Sequence, residues 1–200
     1  MKEFFFGVIS ILLMGFSLPQ NKTEAYSHIQ NLKKGVLLVR LHSQDAMIAK
    51  MKHFRQDVAR VKKIKEIHEK NKETYLAFSS VYDFSDLRFF NGRDSKKVRD
   101  GDYSNIFLDD NLEIDTSIKI PQNVPVYVLD VGDIFFPNMS GHQEGVIIMN
   151  TIMEPLKKPF PYYVRKRSGM AIIKRTDLDM AVILNNSLKT FYKESQRFQE

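Results

Sequence analysis

The sequence predicts a single α/β domain with a mixed sheet, built from an N-terminal β-α-β unit, a C-terminal antiparallel β-meander and a C-terminal helix. Strand and helix patterns alternate in the first half of the chain, whereas short strand patterns follow one another closely in the second half. A helical apolar stripe then ends the chain. The 200 residues, 43% hydrophobic and 27% charged, have the composition of one globular domain rather than of a disordered or fibrous chain.

The first elements are a short helix and a strand. Residues 23–34 place apolar side chains three residues apart and end in two lysines before Gly35, which is typical of a helix and its stop. Residues 36–41 form an almost continuous apolar run. Such a run predicts a strand that is covered on both faces.

One long helix is predicted after this strand. Residues 44–79 contain no Gly or Pro, and Ser43 is a suitable cap. Apolar residues spaced three and four apart form a stripe along one side of this helix. We expect that side to be buried, because the adjacent strand must be covered. The stripe consists of Met47, Met51, Phe54, Val58 and Val61. In the alternative interpretation, this basic helix lies on a membrane surface. Residues 86–90 predict a second strand, parallel to the first.

The second half of the chain predicts an irregular segment, a meander and a helix. Residues 91–123 are polar and rich in turn residues. The strand patterns that follow have no helix between them, which favours antiparallel pairing; they cover residues 124–131, 145–150, 160–167 and 170–174. Thr176 and Asp179 predict a capping box. The expected buried stripe of the last helix is Leu178, Val182, Leu188, Phe191 and Tyr192.

Residues 1–20 have the pattern of a secretory signal peptide. Lys2 precedes an uncharged apolar run over residues 4–18, which is shorter than the roughly 20 residues that cross a bilayer. We expect cleavage near Gln20, a mature domain over residues 21–200 without a transmembrane helix, and a periplasmic or extracellular location. The alternatives are an uncleaved anchor and a buried N-terminal helix. The chain has no cysteine, which excludes a disulfide framework, a thiolate zinc site and a cysteine nucleophile.

Charge is distributed unevenly along the chain. The net charge is +6, but residues 50–72 carry +6, residues 80–156 carry −7, and residues 157–175 carry +7 without a single acid. Such asymmetry directs charged partners, or it is compensated within the fold if the acidic segment lies against the basic helix.

The most concentrated basic element is the strand pattern at 160–167. Alternate residues of a strand face opposite sides, so Tyr163, Arg165 and Arg167 share the side away from the core. Stacking and charge-assisted hydrogen bonds suit an anionic polysaccharide or an acidic protein, and Lys157 and Lys158 extend the basic segment. The alternative is an edge strand kept soluble by its cations. Export argues against nucleic acid as the partner, and no cofactor is predicted.

Acidic residues suggest two further hypotheses. Two carboxylates at the end of a strand, followed by a histidine and a glutamate, suggest a divalent-cation-dependent hydrolase; these residues are Asp130, Asp133, His142 and Glu144. A loop offers oxygen ligands for a metal, or merely turn residues; its residues are Asp109, Asp110, Asn111 and Glu113. No Gly-rich phosphate loop or nucleophile elbow occurs.

The leading prediction is therefore a non-catalytic binding protein of the bacterial envelope that recognises an anionic polymer or an acidic partner. The alternatives are the hydrolase and a structural or assembly subunit.

Overall fold

Five strands form one mixed sheet in the order β2-β1-β3-β4-β5, which confirms the predicted fold class. The structure, a computed structural model, describes residues 20–134, 143–167 and 174–198. In chain order the elements are α1 (Gln20–Lys34), β1 (Val36–Leu41), α2 (Asp45–His53), α3 (Asp57–Val81), β2 (Asp86–Asn91), a 3₁₀ turn (Gly92–Asp94), α4 (Ser95–Arg99), β3 (Val126–Ile134), β4 (Gln143–Met149), β5 (Tyr163–Arg165) and α5 (Asp177–Gln196).

The sheet combines a parallel half and an antiparallel half, as the sequence predicts. The central strand β1 pairs in parallel with β2 on one side and with β3 on the other. β4 runs antiparallel to β3, and β5 runs antiparallel to β4. The carboxyl ends of β1, β2 and β3 therefore meet at one edge, where open α/β sheets place their ligands.

The two faces of the sheet are covered by different elements. One face, here called the helix face, packs against α1, α3 and α5 through residues such as Ile29, Phe78 and Leu184. The opposite face, here called the loop face, is covered by α4 and the following loop through Val98, Ile106 and Phe107. Side chains alternate between these faces along each strand, so neighbouring residues on one strand serve different surfaces.

The single long helix predicted over residues 44–79 is wrong: the segment forms two helices, α2 and α3. Arg55 adopts a left-handed conformation with φ 55°. Its N–H donates to the carbonyl oxygen of Lys52 at 3.1 Å, and the N–H of Gln56 donates to that of Met51 at 2.9 Å. These two bonds form a Schellman motif, which ends a helix.

The predicted burial of the long-helix stripe is also wrong, and so is part of the predicted stripe of α5. Residues Met47, Phe54, Val58 and Val61 are exposed, and α2 contains no buried residue. In α5, Leu178 and Val182 are exposed, whereas Leu188 and Phe191 are buried as predicted. The buried side of the helix also includes Met180, Ala181 and Leu184.

Other local predictions are confirmed or lie beyond the described residues. The capping box joins Thr176 and Asp179 in both directions, with the Asp179 N–H donating to the Thr176 hydroxyl at 3.1 Å. The predicted signal peptide, His142 and most of the predicted strand at 170–174 lie outside the described residues. Arg167 and Lys174, on either side of that last gap, form an antiparallel bridge.

Candidate functional site

A charged pair joins two parallel strands near their carboxyl ends. Arg40 on β1 lies opposite Asp130 on β3 in the register of the sheet. Arg40 Nε donates to Asp130 Oδ1 at 2.9 Å, and Nη2 donates to Oδ2 at 2.5 Å. Both side chains are half-buried on the loop face. Since both carboxylate oxygens are engaged by one guanidinium, Asp130 is a structural ion-pair partner rather than a free base.

His42 follows directly after β1, and its ring lies against the backbone of Gly132. A Cβ atom at Gly132 would lie 2.9 Å from His42 Cε1, and the φ of this residue is 142°, so both contact and conformation require glycine. Burial lowers the pKa of His42, and the nearby Lys70 cation lowers it further, while Asp130 opposes the shift. His42 Nε2 is buried and has no hydrogen-bond partner among the described residues. The imidazole is therefore neutral at neutral pH.

A second glycine lies next to Gly132 in the sheet, on the side towards β5. Gly132 pairs with Gly145 across β3 and β4, and Gly145 pairs with Arg165 on β5. A Cβ atom at Gly145 would lie 2.4 Å from the carbonyl oxygen of Val164 and 3.0 Å from the ring of Tyr163. The ring of His42 therefore lies close to Gly132, and the ring of Tyr163 lies close to Gly145.

Tyr163 and Arg165 lie on the same side of β5. The guanidinium carbon of Arg165 lies 6.0 Å from the centre of the Tyr163 ring, within the range of a cation–π contact. The Tyr163 hydroxyl donates to Gln143 Oε1 at 3.2 Å, and burial raises its pKa. An aromatic ring and a guanidinium group thus present one continuous surface at the edge strand.

The cations of this edge differ in whether the fold neutralises them. Lys166 pairs with Asp177 at 3.4 Å, and Lys174 pairs with Glu144 at 2.8 Å. Arg165 and Arg167 are exposed. No carboxylate in the described parts of the chain forms an ion pair with either arginine. Two guanidinium groups therefore remain available to an external anion.

Of the described residues of the hydrolase hypothesis, Asp130 does not share a face of the sheet with Asp133 and Glu144. Asp133 lies opposite Glu144 in register, and strand alternation places both on the helix face, whereas Asp130 lies on the loop face. The ion pair with Lys174 lowers the pKa of Glu144. Within ranges 20–134, 143–167 and 174–198, no three His, Asp or Glu side chains are arranged to hold a metal ion.

The predicted metal loop is organised by its own first residue. Asp109 Oδ1 accepts the N–H of Asn111 at 2.9 Å and that of Glu113 at 2.8 Å. This carboxylate therefore caps a turn, as in the alternative interpretation of the loop. Asp110 is exposed, and its carbonyl oxygen accepts a hydrogen bond from Lys72 on α3.

Lys157 and Lys158 do not lie on the same surface as the two arginines. They line a cavity of about 190 Å³ beside α1, together with Glu24 and Glu154. The two carboxylates offset their charge locally. The predicted set of basic ligand-binding residues is therefore divided between two places.

Sequence reasoning missed a cleft of about 290 Å³ at the carboxyl end of β1. Its apolar lining comes from the strand end, both neighbouring helices and the loop after α4: Leu41, Ile48, Ile64, Ile67, Leu108 and Leu112. Asn71 is the first of two polar residues on the buried side of α3, four residues after Ile67 and seven before Phe78. This polar position within an apolar stripe is the signal that could have indicated the cleft.

The chain matches no known protein family, no curated protein and no solved structure. None of the helices in the described ranges combines the length and apolar character needed to cross a bilayer. Function is therefore inferred from the geometry of the described residues.

Proposed function

We propose that the protein is a non-catalytic binding protein that takes an anionic polymer at its β5 edge. The observation that supports this proposal is the contrast between the arginines and lysines of that edge. Lys166 and Lys174 each have a carboxylate partner, whereas Arg165 and Arg167 are exposed and lack one among the described residues.

The chemistry of the edge suits a chain of repeated anionic groups. Arg165 and Arg167 are two residues apart, so their Cα atoms lie within roughly 7 Å of each other. Each guanidinium can bind a sulfate, phosphate or carboxylate group with two parallel hydrogen bonds. Tyr163 supplies an apolar ring on which a sugar can stack. One polymer can therefore contact all three side chains at once.

The same proposal places the protein outside the cytoplasm, at the bacterial envelope. Its support is the charged, apolar and polar order of residues 1–20, which is typical of a secretory signal. Fractionation of expressing cells, with the intact mass of the recovered protein, tests this part. Recovery of an uncleaved chain from the cytoplasm would contradict it.

The binding proposal is tested with heparin as a sulfated polysaccharide and with poly-glutamate as an acidic peptide. Affinity of the full chain is measured by isothermal titration at low and high salt. We expect Arg165→Ala/Arg167→Ala to weaken heparin binding by about tenfold or more, since it removes two charge-assisted contacts. Tyr163→Ala should weaken heparin binding more than poly-glutamate binding, because only the sugar stacks on the ring.

The matched control is Arg99→Ala/Lys119→Ala, which removes two exposed cations from another part of the surface. It lowers the net charge equally but leaves the β5 edge intact. If the two double variants lose affinity to the same extent, binding reflects net charge alone and the site is wrong. Absence of binding to either polymer by the unmodified chain would also contradict the proposal.

A further inference from the structure

Residues 45–70 form a helical arm that contributes nothing to the core. The arm comprises α2, the corner at Phe54–Gln56 and the first part of α3, and each of its residues is described and at least partly exposed. The first buried residue of α3 is Asn71. From that point α3 is buried through Thr74, Ala77 and Phe78, and it packs against α5. The buried part of α3 from Asn71 onward therefore anchors the arm, whose other end is joined to β1 through residues 42–44.

Large apolar side chains of the arm are open to solvent. Phe54 is 67% exposed at the corner, and Val58 and Val61 on α3 are 87% and 62% exposed. Exposure falls to 42% at Ile64, and Ile67 then lines the cleft at the end of β1. The apolar side chains farthest from the anchor are thus the least covered, which marks the corner as a contact surface.

The exposed apolar side chains stand among unpaired cations. The arm contains eight Lys or Arg residues and four Asp or Glu residues, a net charge of +4. Three of its four acids pair within α3: Asp57 with Arg60, Glu66 with Lys63 and Glu69 with Lys65. Five exposed cations of the arm have no carboxylate partner among the described residues: Lys50, Lys52, Arg55 and Lys62 flank the corner, and Lys70 lies at the other end of the arm.

We propose that the helical arm binds the headgroup region of an anionic lipid bilayer, with Phe54 and Val58 entering the acyl boundary. An interfacial helix combines an apolar side with surrounding Lys and Arg residues, and anionic headgroups complement the charge of the arm. A second copy of the chain fits less well, since it would bring two arms of like charge together. This inference is independent of the polymer site on β5.

The chain has no tryptophan, so one introduced tryptophan reports on its own surroundings. In Phe54→Trp, the full chain is mixed with vesicles of equal parts phosphatidylglycerol and phosphatidylcholine. We expect a blue shift of the emission and quenching by lipids brominated on the acyl chain. The control is Ile152→Trp, placed at an exposed apolar residue outside the arm, which should show neither change.

Vesicle sedimentation then measures the contribution of each kind of side chain. Phe54→Ser/Val58→Ser should lower the partition coefficient at least about tenfold, since burial of one large side chain alone accounts for that factor. Lys52→Gln/Arg55→Gln should lower it roughly thirtyfold on anionic vesicles, at about 1 kcal/mol for each cation. Ile114→Ser/Ile152→Ser, which removes two exposed apolar side chains elsewhere, should leave it unchanged.

Three outcomes would overturn the inference. Equal binding to pure phosphatidylcholine would remove the role of the anionic headgroup. Unchanged partitioning of Phe54→Ser/Val58→Ser would show that another part of the chain carries membrane binding. Self-association that depends on Phe54, without vesicle binding, would assign the arm to a second copy. Arm variants that still bind heparin normally would show that the two surfaces act separately.

Discussion

The side-chain amide of Asn71 makes both hydrogen bonds of the His42 backbone. Asn71 Nδ2 donates to the carbonyl oxygen of His42 at 2.8 Å, and the His42 N–H donates to Asn71 Oδ1 at 3.0 Å. Asn71 is buried where α3 passes the end of β1. The Asn71 amide therefore makes the two hydrogen bonds that a neighbouring strand would otherwise make to the His42 backbone. It also joins α3, at the base of the helical arm, to the end of β1.

We expect Asn71→Ala to destabilise the protein by about 1–3 kcal/mol, because it leaves two backbone groups of His42 without partners. Asn71→Asp should also destabilise, since it keeps the acceptor but places a carboxylate against the His42 carbonyl oxygen. Urea denaturation of the full chain measures both effects. Asn186→Ala, at an exposed position of α5, is the control, and equal losses at both sites would contradict the assigned role of Asn71.

The neutral state of His42 gives stability a specific pH dependence. Burial lowers the pKa of His42 from its ordinary value of 6.5, so the unfolded chain binds a proton before the folded chain does. The contribution of neutral His42 to the free energy of unfolding is therefore fully present above pH 6.5. It is lost as the pH falls from there through the folded-state pKa. We expect His42→Gln to reduce this loss between about pH 7.5 and 5.5 in urea titrations. His53→Gln, at an exposed histidine on α2, should retain the slope of the unmodified chain.

A buried carboxylate ties three elements together at the start of α5. Asp177 accepts a hydrogen bond from the Thr74 hydroxyl at 2.7 Å and pairs with Lys166 at 3.4 Å. We expect Lys166→Met to lower the free energy of unfolding by about 3 kcal/mol. This is the lower end of the range for a broken buried ion pair, because Thr74 still stabilises the charge of Asp177.

A double variant separates this charge effect from simple loss of packing. Asn at position 177 keeps an acceptor for Thr74 without a charge, so Lys166→Met/Asp177→Asn should be more stable than Lys166→Met alone. The comparison is made by thermal and urea denaturation, with Lys119→Met as a variant that removes an exposed cation. A double variant as unstable as the sum of its single changes would show that the pair is not coupled.

The sequence patterns correctly predicted those elements that are determined by residues close together in the chain. The continuous apolar run of β1 and the capping box of Thr176 and Asp179 each carry their own explanation within a few residues. The break between α2 and α3 has no such signal, because Arg55 occupies a left-handed position that usually holds glycine. The spacing of the apolar stripe identified one side of a helix, but spacing does not reveal whether any other element covers that side.

The same distinction applies to the candidate site. Strand alternation was sufficient to place Tyr163 and Arg165 on one side of β5. The pairing of Arg40 with Asp130 depends on a register between strands 90 residues apart, and no local pattern contains that information. The division of Lys157 and Lys158 from the arginines likewise depends on α1, which is distant in the sequence.

The glycine opposite Arg165 provides a test that links stability to binding. Gly145→Ala would place a Cβ atom 2.4 Å from the backbone oxygen of Val164 and 3.0 Å from the Tyr163 ring. Backbone cannot yield as a flexible side chain can, so β5 must shift, at a cost of about 1–3 kcal/mol.

Because the displaced strand carries both Tyr163 and Arg165, heparin affinity should fall together with stability. Titration at a temperature where the variant is still folded by circular dichroism separates the two effects. Asn71→Ala destabilises the protein to a similar extent but changes neither a charge nor a contact at the β5 edge, so it controls for loss of stability alone. A Gly145→Ala protein that binds heparin as tightly as this control would show that the position of β5 does not determine binding.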